Sequence, residues 1–167
     1  MDWIGQYHPQ IIHTPIALLV FSALFAIVGR LFDRDWVRKA SVLLLVFGLA
    51  GAQLAVFSGR ITEEIPEKKQ GVPEKAIDEH GNGGQYTVWL AGGALLAIAL
   101  ASRFRGGPAT ALATFGLLLQ IAAAVMVGIT GYRGGRLVFE HGAGVRIAGE
   151  LVKNPGATSD STQPPGR

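Results

Sequence analysis

Apolar residues gather in four long runs along the chain, and most charged residues lie in the segments between them. The runs cover 11–32, 40–58, 86–102 and 109–130. Each has roughly the 20 residues that a helix needs to cross a hydrocarbon core of about 30 Å. They are apolar all around a helix rather than on one face, which indicates burial on every side. The pattern predicts an all-α fold: a bundle of four transmembrane helices in a lipid bilayer.

The remaining segments define the domain organisation. Residues 1–150 are predicted to form one four-helix transmembrane domain. Within it, 60–84 is predicted to be a loop, with a short helix over the end of the bundle. Residues 151–167 are rich in Pro, Gly, Ser and Thr. Because such a composition leaves little apolar surface to bury, this segment is predicted to be a disordered tail.

Charge predicts the orientation of the bundle. The turns after the first and third runs are basic; they contain Arg30, Arg34, Arg38 and Lys39, and Arg103 and Arg105, respectively. By the positive-inside rule, these turns are cytoplasmic. Both termini are therefore predicted on the periplasmic side of a bacterial inner membrane. The net charge of +3 is small, and we expect no nucleic-acid partner.

Polar and small residues inside the runs predict how the helices pack. Gln53 and Gln120 lie at membrane depth, so both amides are expected to face inward and to bond across helices. Small residues recur at helical spacing in the later runs, as at Gly51, Ala55 and Gly59 in the second. They favour close helix packing in the bundle. The same packing would also allow copies of the chain to form an oligomer.

All four histidines fall at the predicted outer end of the bundle, and none lies in the basic turns. Neutral imidazole is a common ligand of haem iron and of first-row transition metals. His13 and His80, each at the start of a run, are the first candidates for axial ligands of a haem b. His141 and His8, on flanking segments, are the next candidates, for a second haem or a cap over the first.

Two other interpretations of the histidines stay open. One is a site of three or four histidines for a metal ion, with Glu79 or Glu140 as a further ligand. The other is a role as interfacial polar anchors with no cofactor. If a haem is bound, its propionates would be expected to pair with arginines at the same end: Arg60, Arg133 or Arg136.

The residue inventory restricts the function further. The chain has no cysteine, which excludes disulfides, cysteine nucleophiles and thiolate-held clusters. It has no recognisable catalytic triad and no protonatable group in mid-membrane, so we expect no enzyme activity of its own. With histidines at one end alone, a haem would exchange electrons at the outer surface, with a periplasmic protein or a quinone. The alternative is a cofactor-free structural or assembly subunit.

Two motifs resemble an uncharacterised bacterial four-helix membrane family, domain of unknown function 2231. The opening motif is His8-Pro9 followed by His13-x-Pro15-Ile16-Ala17-Leu18-Leu19. The closing motif is Gly135-x-Leu137-Val138-x-x-His141-Gly142-x-Gly144-Val145, and His80 also matches. Some members are joined to Rieske-type or cytochrome-type domains. The resemblance therefore implies an electron-transfer setting, with a cytochrome or a Rieske-type protein as partner.

Overall fold

Each of the four apolar runs lies within one long helix, which confirms the predicted all-α membrane fold. The computed structural model describes residues 7–62 and 65–154. Its helices are α1 (His8–Ile11), α2 (His13–Leu31), α3 (Asp35–Thr62), α4 (Glu74–Ala101) and α5 (Gly107–His141). A π-helical turn, Ile65–Lys69, lies between α3 and α4. The short α1 leads directly into α2, and the two together are long and apolar enough for one membrane span.

Helices α2 to α5 each pack against the next in the chain, and α5 returns to α2. Glycines, which have no side chain, allow the helices to approach each other closely at several of these contacts. A methyl group built on Gly116 of α5 would lie 2.8 Å from a side-chain carbon of Ile98 on α4. On α3, one built on Gly51 would lie 3.3 Å from the ring of Pro15. The small residues therefore serve helix packing here, as the sequence predicts.

Two helices extend well beyond the apolar runs that predict them. Helix α4 begins at Glu74 rather than at 86, and α5 continues to His141 rather than ending at 130. The added turns carry polar residues, because a helix leaving the hydrocarbon no longer needs apolar side chains. With a rise of about 1.5 Å per residue, α5 is about 50 Å long, and a 30 Å hydrocarbon core cannot contain it.

The two amides in the spanning runs face opposite ways. Gln120 is 1% exposed, and its Nε2 donates to Oγ of Ser22, whose hydroxyl donates to the carbonyl of Ser41 at 2.9 Å. This buried chain links α5, α2 and α3, as predicted for an amide at membrane depth. Gln53 on α3 is exposed instead. The prediction that it faces inward is wrong, because its position on α3 lies away from both neighbouring helices.

Beyond α5, the chain folds back on itself and is held by Gln70. Strands β1 (Arg146–Ile147) and β2 (Glu150–Leu151) pair antiparallel in a two-residue hairpin. Its turn residues, Ala148 and Gly149, have φ of 51° and 87°, the left-handed conformation that tight hairpin turns require. The predicted start of the tail at 151 falls inside this hairpin. The rest of that predicted tail, from 155 to 167, lies outside the described residues.

The Gln70 side chain is 1% exposed and makes three hydrogen bonds. Its Nε2 donates to the carbonyls of Gly142 at 2.8 Å and Val152 at 2.6 Å. Its Oε1 accepts the N–H of Gly144 at 2.8 Å. The predicted loop 60–84 is thereby fastened to the chain that follows α5. We call residues 65–73 and 142–154 together the cap.

Gln70→Ala should loosen the cap without unfolding the bundle. It leaves two carbonyls and one N–H without their partner, and each such loss costs about 1–3 kcal/mol where the group stays buried. We expect hydrogen exchange of the Gly144 amide to become about tenfold faster or more, while amides in the middle of α2 and α5 are unchanged.

Gln85→Ala is the matched control for this experiment. Gln85 accepts one hydrogen bond, from Arg60 at 3.1 Å, and does not contact the cap through it. Equal exchange at Gly144 in both variants would show that Gln70 does not hold the cap.

Candidate functional site

His8 and His80 form a pair at one end of the bundle, which we call the histidine end. Their ring centroids are 6.2 Å apart and their ring planes are perpendicular. His8 opens α1, and His80 lies in the part of α4 that precedes its apolar run. Both side chains are half-buried. Residues 72 positions apart in the chain therefore present two imidazoles to each other.

The His8 ring is oriented by α3. Its Nδ1 is 2.8 Å from Oγ of Ser58. The Ser58 hydroxyl donates to the carbonyl of Ala55 at 3.0 Å, so its oxygen is left to accept from His8. The ring also lies close to Gly59: a methyl group built there would be 3.1 Å from Cε1 of His8. The α3 backbone and one hydroxyl thus fix the place of this imidazole.

The His80 ring is oriented by α5 in a similar way. Its Nδ1 lies 3.0 Å from the carbonyl oxygen of Thr130, which can only accept. A methyl group on Gly134, one turn along α5, would lie 2.8 Å from Cε1 of His80. That is closer than carbon atoms approach, so the ring occupies the space that a side chain would need.

The bond to Thr130 defines the tautomer of His80: Nδ1 carries the proton and donates it to the carbonyl, which leaves Nε2 with a lone pair. His8 has the same tautomer when the Ser58 hydroxyl donates to Ala55 rather than to the ring. A metal-ligating histidine commonly gives its other N–H to a backbone carbonyl or an oxygen in this manner. In this tautomer, Nε2 is the ring nitrogen whose lone pair is available to a metal.

His13 does not lie in this pair. Its Nδ1 is 2.6 Å from the carbonyl of Pro9, one turn earlier, and its side chain is exposed. The sequence prediction joins His80 with His13 as axial ligands, whereas the ring in contact with His80 is that of His8. His8 and His13 are five residues apart, which is about 140° around a helix. Because Ile12 between them has helical φ and ψ, His8 faces α3 while His13 lies at the surface.

His141 lies at the same end but in a separate place, at the last residue of α5. It is half-buried beside a cavity of about 50 Å³. The cavity is lined by Ala76, Glu79, Arg133, Arg136, Leu137 and His141. It is large enough for one or two water molecules and not for a flat cofactor.

The three arginines proposed as propionate partners differ in their hydrogen-bond partners. Arg136 makes two bonds of 2.7 Å to the carboxylate of Glu140. Arg133 donates to the backbone carbonyl of Glu79 at 3.0 Å, and Arg60 donates to Gln85. The last two have neutral partners, so their charges are not neutralised by these bonds. Each is also adjacent in sequence to a glycine that supports one ring of the pair.

The described residues contain no group of three or more His, Asp or Glu side chains placed to hold a metal ion. A site of three or four histidines, with Glu79 or Glu140 added, is therefore not assembled in this part of the chain. What the structure does assemble is a pair of imidazoles, His8 and His80. Sequence reasoning missed Ser58, Gly59 and Gly134 as its supports, although the small-residue spacing in the second run includes Gly59.

Comparison with known proteins places the chain in a family. The model of the predicted membrane protein family DUF2231 matches residues 6–146, most of the sequence. The chain belongs to the DUF2231 family. No curated protein and no solved structure matches it. The DUF2231 match covers all four spanning helices and both rings of the pair, and it ends at the first strand of the cap hairpin.

The tautomers of the pair give a direct prediction for this DUF2231 protein. With ¹⁵N-labelled histidine, NMR at neutral pH should show His8 and His80 protonated on Nδ1 and unprotonated on Nε2. Ser58→Ala should remove this preference for His8 and leave His80 unchanged, because the Thr130 carbonyl is untouched. A protonated Nε2 on both rings in the unaltered protein would contradict the assignment.

Proposed function

We propose that this integral membrane protein binds haem b through His8 and His80 and passes electrons at the membrane surface. The observation that carries the proposal is the His8–His80 pair, with both Nε2 atoms left as ligands. Two imidazoles, those of His8 and His80, would match the two protein ligands of a six-coordinate haem iron. A bare metal ion such as Zn²⁺ usually takes three or four protein side chains, more than this pair offers.

The spacing of the rings supports axial ligation. A metal–imidazole bond of about 2 Å and a distance of about 1 Å from nitrogen to ring centre put two axial imidazoles about 6 Å apart. The observed separation of the His8 and His80 centroids is 6.2 Å. Perpendicular planes are compatible with this role, because each ring can rotate about its own bond to the metal.

The surroundings of the pair also suit a haem at the edge of the bilayer. Arg60 and Arg133, each next in sequence to a glycine that contacts one ring, are the residues that would pair with its propionates. When bound, the haem supplies a one-electron redox centre. The chain's own part is to orient the two imidazoles through Ser58 and the Thr130 carbonyl.

A single haem at the histidine end would restrict where electrons can enter and leave the protein. All four histidines lie at the histidine end, and the basic turns contain none. The protein would therefore exchange electrons at that face, which we assign to the periplasmic side of the inner membrane, and would not carry them across the bilayer. A periplasmic cytochrome, a Rieske-type protein or a quinone is the partner class. This is a redox accessory role rather than that of an enzyme.

The first test is a visible spectrum of the purified protein from haem-replete cells, oxidised and then reduced with dithionite. We expect a sharp reduced α-band with stoichiometric iron. His8→Ala and His80→Ala should each abolish it, whereas His13→Ala and His141→Ala should retain it. All four variants should elute from a sizing column like the unaltered protein, which separates ligand loss from misfolding.

A colourless, metal-free protein would contradict the proposal and favour the alternative, a cofactor-free structural or assembly subunit. Loss of the band in His13→Ala with retention in His8→Ala would instead restore His13 as the ligand that the sequence predicts.

Adjacent glycines on α5 provide a subtler test. Gly134→Ala should displace the His80 ring and weaken haem retention by about tenfold or more, as changes that reorient a ligand commonly do. Gly135→Ala is the control, since a methyl group built there meets no other atom within 4 Å. Equal haem retention in the two variants would argue against His80 as a ligand.

A further inference from the structure

Gln53 presents a primary amide to the outside of the bundle within the second spanning run. It lies five residues before Ser58 on α3, about 7–8 Å nearer the bilayer centre along the helix axis. Its side chain is exposed. The four runs contain one other amide, Gln120, which is buried and bonded inside the protein. Gln53 is thus the one amide that the described bundle leaves facing outward at this depth.

An amide directed at hydrocarbon loses its hydrogen bonds with water and gains none from lipid. A partner that restores these bonds is therefore favoured. In membranes, such interhelical bonds between polar side chains are a main source of helix association.

The surroundings of Gln53 form a stripe suited to another helix. The exposed residues of α3 recur at alternating spacings of three and four: Leu43, Val46, Ala50, Gln53 and Phe57. This is the spacing of the contact seam between two helices that cross at a small left-handed angle. Ala50, one turn from Gln53, is small enough to let two backbones approach. A single polar residue within such a seam favours one register over its alternatives.

The chemistry of this stripe points to a second copy of the same chain. All copies are inserted in the membrane with one orientation, so a twofold axis along the bilayer normal brings Gln53 of both copies to the same depth. A primary amide has both a donor and an acceptor, and two of them can bond reciprocally. Such self-complementarity is what a twofold interface requires.

We propose that α3 forms a homodimer interface centred on a reciprocal hydrogen bond between the Gln53 side chains of two copies. Lys39 and Arg60 continue the stripe at its two ends and are exposed. They confine the interface to the apolar length between them, because like charges of the two copies would repel there. The interface leaves the His8–His80 pair within each copy, so it does not depend on the function proposed for that pair.

Cysteine crosslinking tests the interface without background, because the chain has no cysteine of its own. Ala50→Cys should give a disulfide-linked dimer on oxidation in native membranes. Leu118→Cys is the control; Leu118 is 58% exposed on α5, a different outward face. Absence of the Ala50→Cys dimer, or equal crosslinking of both variants, would overturn the proposal.

The role of the amide is tested separately by resonance energy transfer between labelled copies in liposomes of increasing dilution. Gln53→Leu should weaken self-association about five- to thirtyfold, the range that one or two interhelical hydrogen bonds provide. Gln53→Asn keeps an amide and should retain most of the association. Unchanged association in Gln53→Leu would overturn the Gln53 pairing, and a monomer at all dilutions would overturn the dimer itself.

Discussion

Each imidazole of the His8–His80 pair lies against a glycine of the adjacent helix, and this close approach determines where both rings stand. His8 packs on Gly59 of α3 and His80 packs on Gly134 of α5. Deeper in the bundle, contacts such as Gly116 with Ile98 hold the helices at the same short spacing. If the helices stood farther apart by the width of a methyl group, the bonds to Ser58 and to the Thr130 carbonyl would be lost. The geometry of the His8–His80 pair is therefore a property of helix packing.

The four spanning helices could be predicted because lipid imposes a simple rule, that the hydrocarbon must be crossed by about 20 apolar residues. The same rule explains the errors at the helix ends. Outside the hydrocarbon, a helix is free to be polar, so hydropathy does not register the turns from Glu74 to 85 or from 131 to His141. The fastening of the cap escaped prediction for a related reason: it depends on two buried side chains, Gln70 and Asn154, and on backbone groups rather than on an apolar pattern.

Side-chain partners were harder to predict than helices, because they depend on the rotation of each helix about its axis. Sequence alone groups His8, His13 and His80 at one end, yet the position of each residue around its helix decides that His8 faces His80. Gln53 and Gln120 look equivalent in the sequence, and only the helix faces on which they lie distinguish them. One amide meets Ser22 inside the bundle, while the other faces outward. Rotation is set by packing at glycines spread over several helices, which no local motif encodes.

The position of the His8–His80 pair along the helices determines which partners could exchange electrons with a haem bound there. His80 lies in the part of α4 that precedes its apolar run, where it contacts Thr130 and Gly134 of α5 and faces the His8 ring. Gln70 ties the preceding loop to the end of α5, and so restrains both helices that hold His80. For the proposed haem, this means that a surface partner could approach the redox centre without entering the bilayer and without disturbing the ligands.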